Sequence, residues 1–196
     1  MITDFGSGSR VFKSDERSIS AIGKHAGITP KRQRLLFRLA QYFQPNSVLE
    51  LGTSLGRATA ALASGNPSAI IDTVEGCPNT SEVAKGLFKK FGLKNIQLYN
   101  SSFEQFFSDE TKTYDLVFID GNHNKQNTLA YFQVLKERAT NNTILIFDDI
   151  YWSQEMTEAW REIYAQPEVT VSIDMYHWGL IFFRKEQRKE HFNIRM

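Results

Sequence analysis

Residues 48–64, Val-Leu-Glu-Leu-Gly-Thr-Ser-Leu-Gly-Arg-Ala-Thr-Ala-Ala-Leu-Ala-Ser, constrain this chain more than any other stretch. Val48, Leu49 and Leu51 have the content of a buried strand, and the segment Gly52 to Gly56 punctuates it with a turn. The small residues from Arg57 to Ala63 then read as a helix. Strand, glycine turn and helix in that order open a nucleotide-binding α/β sheet, where a helix N-terminus and bare backbone admit a ligand closely. The spacing is Glu-x-Gly-x-x-x-Gly, not the Gly-x-Gly-x-x-Gly of dinucleotide dehydrogenases. Glu50, two residues before the first glycine, suits a cationic ligand better than a pyrophosphate.

Downstream, strand and helix patterns alternate. Strands are expected over Ala69–Val74, Asn95–Tyr99, Tyr114–Ile119 and Thr143–Phe147, and helices over Thr80–Phe91, Phe103–Phe107, Asn127–Ala139 and Gln154–Tyr164. Ser153 is placed to cap the last of these helices. Val169–Met175 and Trp178–Arg184 read as a closing hairpin. The fold class is therefore α/β, Rossmann-like and doubly wound, with a mostly parallel seven-stranded sheet and an antiparallel last strand. Residues 1–46 form a helical N-terminal extension of the same domain, and 47–196 its core. Within the extension, residues 1–16 are Gly/Ser-rich and charged, either a tail or a lid over the ligand; Ser18–Ala26 reads as a short helix and Lys31–Phe43 as an amphipathic one.

A chain of 196 residues with 41% apolar and 23% charged content is enough for one domain with a substantial core. A formal net charge of +1 gives no field that would draw nucleic acid or a membrane. Lys31, Arg32, Arg34 and Arg38 are either a solvated helix face or a phosphate patch. The single cysteine, Cys77, excludes an intrachain disulfide and a cysteine-rich metal site. The polar N-terminus lacks a signal peptide's apolar core, and no apolar run nears the roughly 20 residues of a membrane span. A cytoplasmic protein is expected, with a homodimer left open.

In such sheets the ligand lies across the carboxyl ends of the strands. Those ends are loaded with polar residues here: Glu50 to Gly56, Glu75, Ser101-Ser102, Asp120 to His123 and Asp148-Asp149. The glycine turn resembles motif I of the class I S-adenosylmethionine-dependent methyltransferases. The resemblance implies S-adenosyl-L-methionine held by Glu50, Gly52, Thr53, Ser54 and Gly56, with Glu75 accepting both ribose hydroxyls. It places Ser102 and Phe103 at the adenine and brings Asp120 to the cofactor.

Ile119-Asp-Gly-Asn-His123, followed by Phe147-Asp-Asp149, is similar to the catechol-type O-methyltransferases and their relatives with an Asp-Gly-x-His signature, a methyltransferase family 24-like group. That resemblance implies Mg²⁺ or another divalent cation on Asp120, Asp148 and Asp149, all hard oxygen ligands. The catechol-type enzymes have Asn where this chain has Asp149, and a lysine base where it has His123. The implied reaction moves the methyl group from the sulfonium to a hydroxyl oxygen of a small molecule with metal assistance. His123, three residues beyond Asp120, is either a supporting base that takes the hydroxyl proton, a group behind the metal ligands, or a clamp for the cofactor's carboxylate. Tyr151 and Trp152 either wall the acceptor pocket or pack the following helix, whereas Lys125, His25, His177 and His191 are solvated, structural or surface groups. The rival readings are an RNA or protein methyltransferase using the basic N-terminal helix, and a non-catalytic sensor of the adenosyl cofactor. Clustered Asp120, His123, Asp148 and Asp149 argue against the sensor.

Overall fold

The computed structural model describes residues 2–3, 16–17 and 28–195. The helix expected over Ser18–Ala26, His25 and most of the Gly/Ser-rich start lie outside these residues. Of that start, Ile2–Thr3 (β1) and Glu16–Arg17 (β2) pair antiparallel, Ile2 opposite Arg17. The chain divides into two compact units, Met1–Thr111 and Lys112–Met196. Among the described residues no helix is long and apolar enough to cross a membrane.

In the first unit, helix α1 (Pro30–Phe43) begins where Thr29 accepts the Arg32 N–H at 3.4 Å and Pro30 supplies its preset φ; Gln44 ends it in the left-handed region. Leu36 and Ala40 are its buried face, packed against α2 (Arg57–Gly65), while Lys31, Arg34 and Arg38 are exposed. Strands β3 (Ser47–Leu51), β4 (Ile70–Val74) and β5 (Ile96–Tyr99) are parallel neighbours in that order, with Val48 opposite Ile71 and Ile71 opposite Ile96. Val48, Leu49 and Leu51 are all fully buried, as expected of a parallel strand covered on both faces. Helices α3 (Pro78–Lys90) and α4 (Phe103–Asp109) follow β4 and β5.

The second unit contains β6 (Leu116–Ile119), α5 (Lys125–Glu137), β7 (Ile144–Asp148), α6 (Gln154–Ala165), β8 (Val171–Asp174), β9 (Trp178–Phe182) and β10 (Glu190–Asn193). The strand order is β10-β8-β9-β7-β6. Strand β9 is antiparallel to both β7 and β8, so β7 and β8 run the same way and end at the same edge. Strand β10 is the one in this unit not expected from sequence. Its four residues are all exposed and carry no apolar alternation; it joins through its backbone ladder to β8, Glu190 opposite Val171.

Gly179 in β9 lets this sheet receive α6. A Cβ at this position would meet three ring atoms of the buried Trp160 at 2.5, 2.6 and 2.7 Å. A fixed indole cannot retreat as a flexible chain end would. Gly179→Ala is therefore expected to destabilise the fold by about 2 kcal/mol, read as a lower urea midpoint at unchanged slope.

Candidate functional site

In the first unit the site is built on the turn after β3. Gly52 and Thr53 both donate their N–H groups to the Val74 carbonyl, at 3.0 and 3.2 Å, which pins the turn onto the end of β4. Gly52 has φ 104 and Gly56 φ 76, while Ser54 takes a left-handed φ of 49 without being glycine. At Gly56 a Cβ would lie 2.6 Å from the Phe88 ring, so closeness to α3 as well as the backbone angle demands glycine. Glu75 faces this turn. One carboxylate oxygen accepts the Ser54 N–H at 2.9 Å and the other the Cys77 N–H at 2.9 Å. A half-buried carboxylate is thus held rigidly by two backbone amides, one in the turn and one at the start of α3.

Glu50 is placed differently from the sequence expectation. It is fully buried beneath the turn, where Oε2 accepts the Thr59 hydroxyl and the Thr73 hydroxyl, the latter at 2.5 Å; Thr73 in turn bonds Thr53 at 2.6 Å. Glu50 thus ties the turn's strand to α2 and β4 from beneath. Ser102 spends its hydroxyl capping α4, where it accepts the Gln105 N–H at 3.1 Å, and Phe103 is buried in the core. Asn100 was not expected from sequence: its amide donates to the Glu75 carbonyl at 2.7 Å and to Ser81 at 3.2 Å, bracing the end of β4.

In the second unit the residues following β6, β7 and β8 include three non-glycine positions in the left-handed region: Asn122 (φ 52), Asp149 (φ 52) and Tyr176 (φ 71). Backbone strain of this kind gathers at functional sites. Asn122, anchored by its amide to the Tyr131 hydroxyl at 2.8 Å, turns the chain so that His123 comes back on Asp120. His123 Nε2 lies 3.6 Å from Asp120 Oδ1, and its ring centroid lies 6.0 Å from that of Trp152. Burial opposes protonation of His123 as the largest single influence. The adjacent Asp120 carboxylate and the charge of Asp149 together outweigh it, and the pKa of His123 is raised. Asp120, His123, Asp149 and Trp152 thus form one neighbourhood.

Asp148 does not join them in a metal cage. It is buried, and Oδ1 accepts the Asp149 N–H at 2.8 Å. Among the described residues no group of three His, Cys, Asp or Glu side chains is placed to hold a metal ion, so the three-carboxylate set implied by the resemblance does not fit a preformed site. Lys125 is an anchor between α5 and α6, 3.1 Å from Glu158 and 2.6 Å from Glu162. His191 is structural: it bonds Ser172 at 2.8 Å and stacks on Tyr164 at 4.4 Å. Trp178 is core, edge-on to Phe118.

A family model described as "Methyltransferase domain" matches residues 49–150. The chain is 28% identical over 126 residues to a catechol O-methyltransferase of Mycobacterium tuberculosis (strain ATCC 25618 / H37Rv), an alignment covering 63% of this chain and 56% of that protein. The chain therefore spans little more than half the length of this relative. Among solved structures, cofactor-bound Rv0187 from MTB superposes with a TM-score of 0.72 at 22% identity, covering 83% of this chain and 84% of the other. An O-methyltransferase from Bacillus cereus in complex with SAH does so with a TM-score of 0.68 at 20% identity, covering 83% and 87%. These likenesses extend the fold over most of the chain.

Proposed function

Because this chain belongs to the methyltransferase-domain family, we propose that it is an S-adenosylmethionine-dependent O-methyltransferase acting on a hydroxyl group of a small molecule. The observation that carries the reading is Glu75, clamped by Ser54 and Cys77 beside the Gly52–Gly56 turn. A fixed carboxylate next to a bare backbone turn fits the ribose of the adenosyl group. When bound, the cofactor supplies a methyl group made electrophilic by its sulfonium. His123 receives the proton of the acceptor hydroxyl, and Asp120 orients the imidazole and stabilises its charged form. The raised pKa makes His123 a stronger base than a free imidazole. Trp152 flanks it with an apolar ring face suited to a planar acceptor. Catalysis by positioning is the main contribution expected of such a site.

The resemblance would put a divalent cation on Asp120, Asp148 and Asp149, which have the oxygen chemistry Mg²⁺ prefers, although among the described residues no three such side chains are placed to hold an ion. Titration calorimetry of S-adenosylhomocysteine into EDTA-treated protein tests the whole. Micromolar binding, followed by methyl transfer to catechol at a rate that added Mg²⁺ changes less than about threefold, is the expected result. Absence of any binding heat overturns the reading. A strong Mg²⁺ requirement lost in Asp149→Ala would instead establish the metal route.

A further inference from the structure

Asp174, at the carboxyl end of β8, is 1% exposed, yet three donors converge on its carboxylate. They are the Tyr151 hydroxyl, the Tyr176 N–H at 2.8 Å and Arg195 Nη1 at 3.3 Å. A buried carboxylate with that many partners is a fixed anchor, closed to any incoming cation. What it holds is exposed. The Tyr151 and Tyr176 rings lie 5.6 Å apart, the two residues are 40% and 54% accessible, and the Arg195 side chain is 59% accessible. The guanidinium carbon sits 5.9 Å from the Tyr176 ring centroid, within cation–π range. Among the described residues Arg195 donates through Nη1, to Asp174 and to the Ile194 carbonyl, and no bond uses Nε or Nη2 of its five-donor fork.

Tyr176 is held at φ 71, a strained position for a bulky residue, and Asp174 accepts the N–H that keeps it there. Tyr151 follows Asp149 by two residues, and β7 and β8 end at the same edge, so this cluster borders the acid pair. Two adjacent exposed tyrosines, fixed by a buried anchor and topped by a half-satisfied guanidinium, are a surface built for a flat ligand with negative charge.

We propose that Tyr151, Tyr176 and Arg195, anchored by Asp174, form a subsite for an aromatic carboxylate, making Arg195 a specificity-determining residue for the acceptor. That the bound ring is a methyl acceptor rests on the proposed function; that it binds here does not. Calorimetric titration of 3,4-dihydroxybenzoate and of catechol, into wild type and Arg195→Gln with and without S-adenosylhomocysteine, decides it. The carboxylated ring should bind wild type about tenfold more tightly than catechol, through a charge-assisted fork. In Arg195→Gln the two rings should bind equally within about twofold, with S-adenosylhomocysteine affinity unchanged. Equal affinities in wild type, a preference surviving in Arg195→Gln, or no heat from either ring overturns the subsite. Loss of S-adenosylhomocysteine binding in wild type would overturn the methyltransferase reading alone, since the ring titrations without it still read the subsite.

Discussion

Glu75→Ala is expected to weaken S-adenosylhomocysteine binding at least about 100-fold, about 2.7 kcal/mol. Two losses coincide in this variant. The carboxylate proposed to receive the ribose hydroxyls disappears, and so does the clamp that joins the Ser54 N–H to the Cys77 N–H. Ser54 is then left in a left-handed conformation with nothing to hold it, and the turn pays for ordering itself when ligand arrives. Glu75→Gln is a sharper probe than alanine. Both carboxylate oxygens accept from backbone N–H groups, so a glutamine must aim its own N–H₂ at one of these donors. The glutamine variant should lose most of the same affinity while folding with a near wild-type urea midpoint. A loss below about threefold in both variants would remove Glu75 from the cofactor site and with it the observation on which the proposed function stands.

The turn that Glu75 serves was legible in sequence, and the reasons are local. Glycines at 52 and 56 and an all-apolar strand before them report on backbone angles and burial that the residues themselves dictate. Ser153 as a cap was readable in the same way: it accepts the Met156 N–H at 3.1 Å. The features that escaped depend on partners far along the chain. Glu50 lies beneath its turn because Thr59 and Thr73, 9 and 23 residues on, offer it hydroxyls. The Asp174 anchor draws Tyr151 from 23 residues before it and Arg195 from 21 after. Strand β10 is invisible to an apolar pattern because it buries no side chain. The metal set illustrates a different limit. Sequence places Asp120, Asp148 and Asp149 at strand ends, but the directions of the last two carboxylates depend on the left-handed backbone at Asp149 and on the N–H it donates to Asp148.

His123→Ala is expected to lower kcat for methyl transfer about 1000-fold, within the range for removing a positioned general base, with S-adenosylhomocysteine affinity unchanged within about twofold. The split between the two readouts follows from location. Every contact described for His123 is to Asp120, Asp149 or Trp152. Nε2 faces Asp120, which leaves Nδ1 as the nitrogen that takes a proton. Asp120→Asn keeps the shape but removes the charge favouring the imidazolium, so it should cost less, about 30-fold, and by the same route. His123→Gln separates proton transfer from orientation, because glutamine can hydrogen-bond a hydroxyl but cannot carry its proton away. A glutamine variant as slow as alanine supports the base. One that restores activity to within about fivefold of wild type shows that His123 only orients the acceptor, and the proton then leaves by another group.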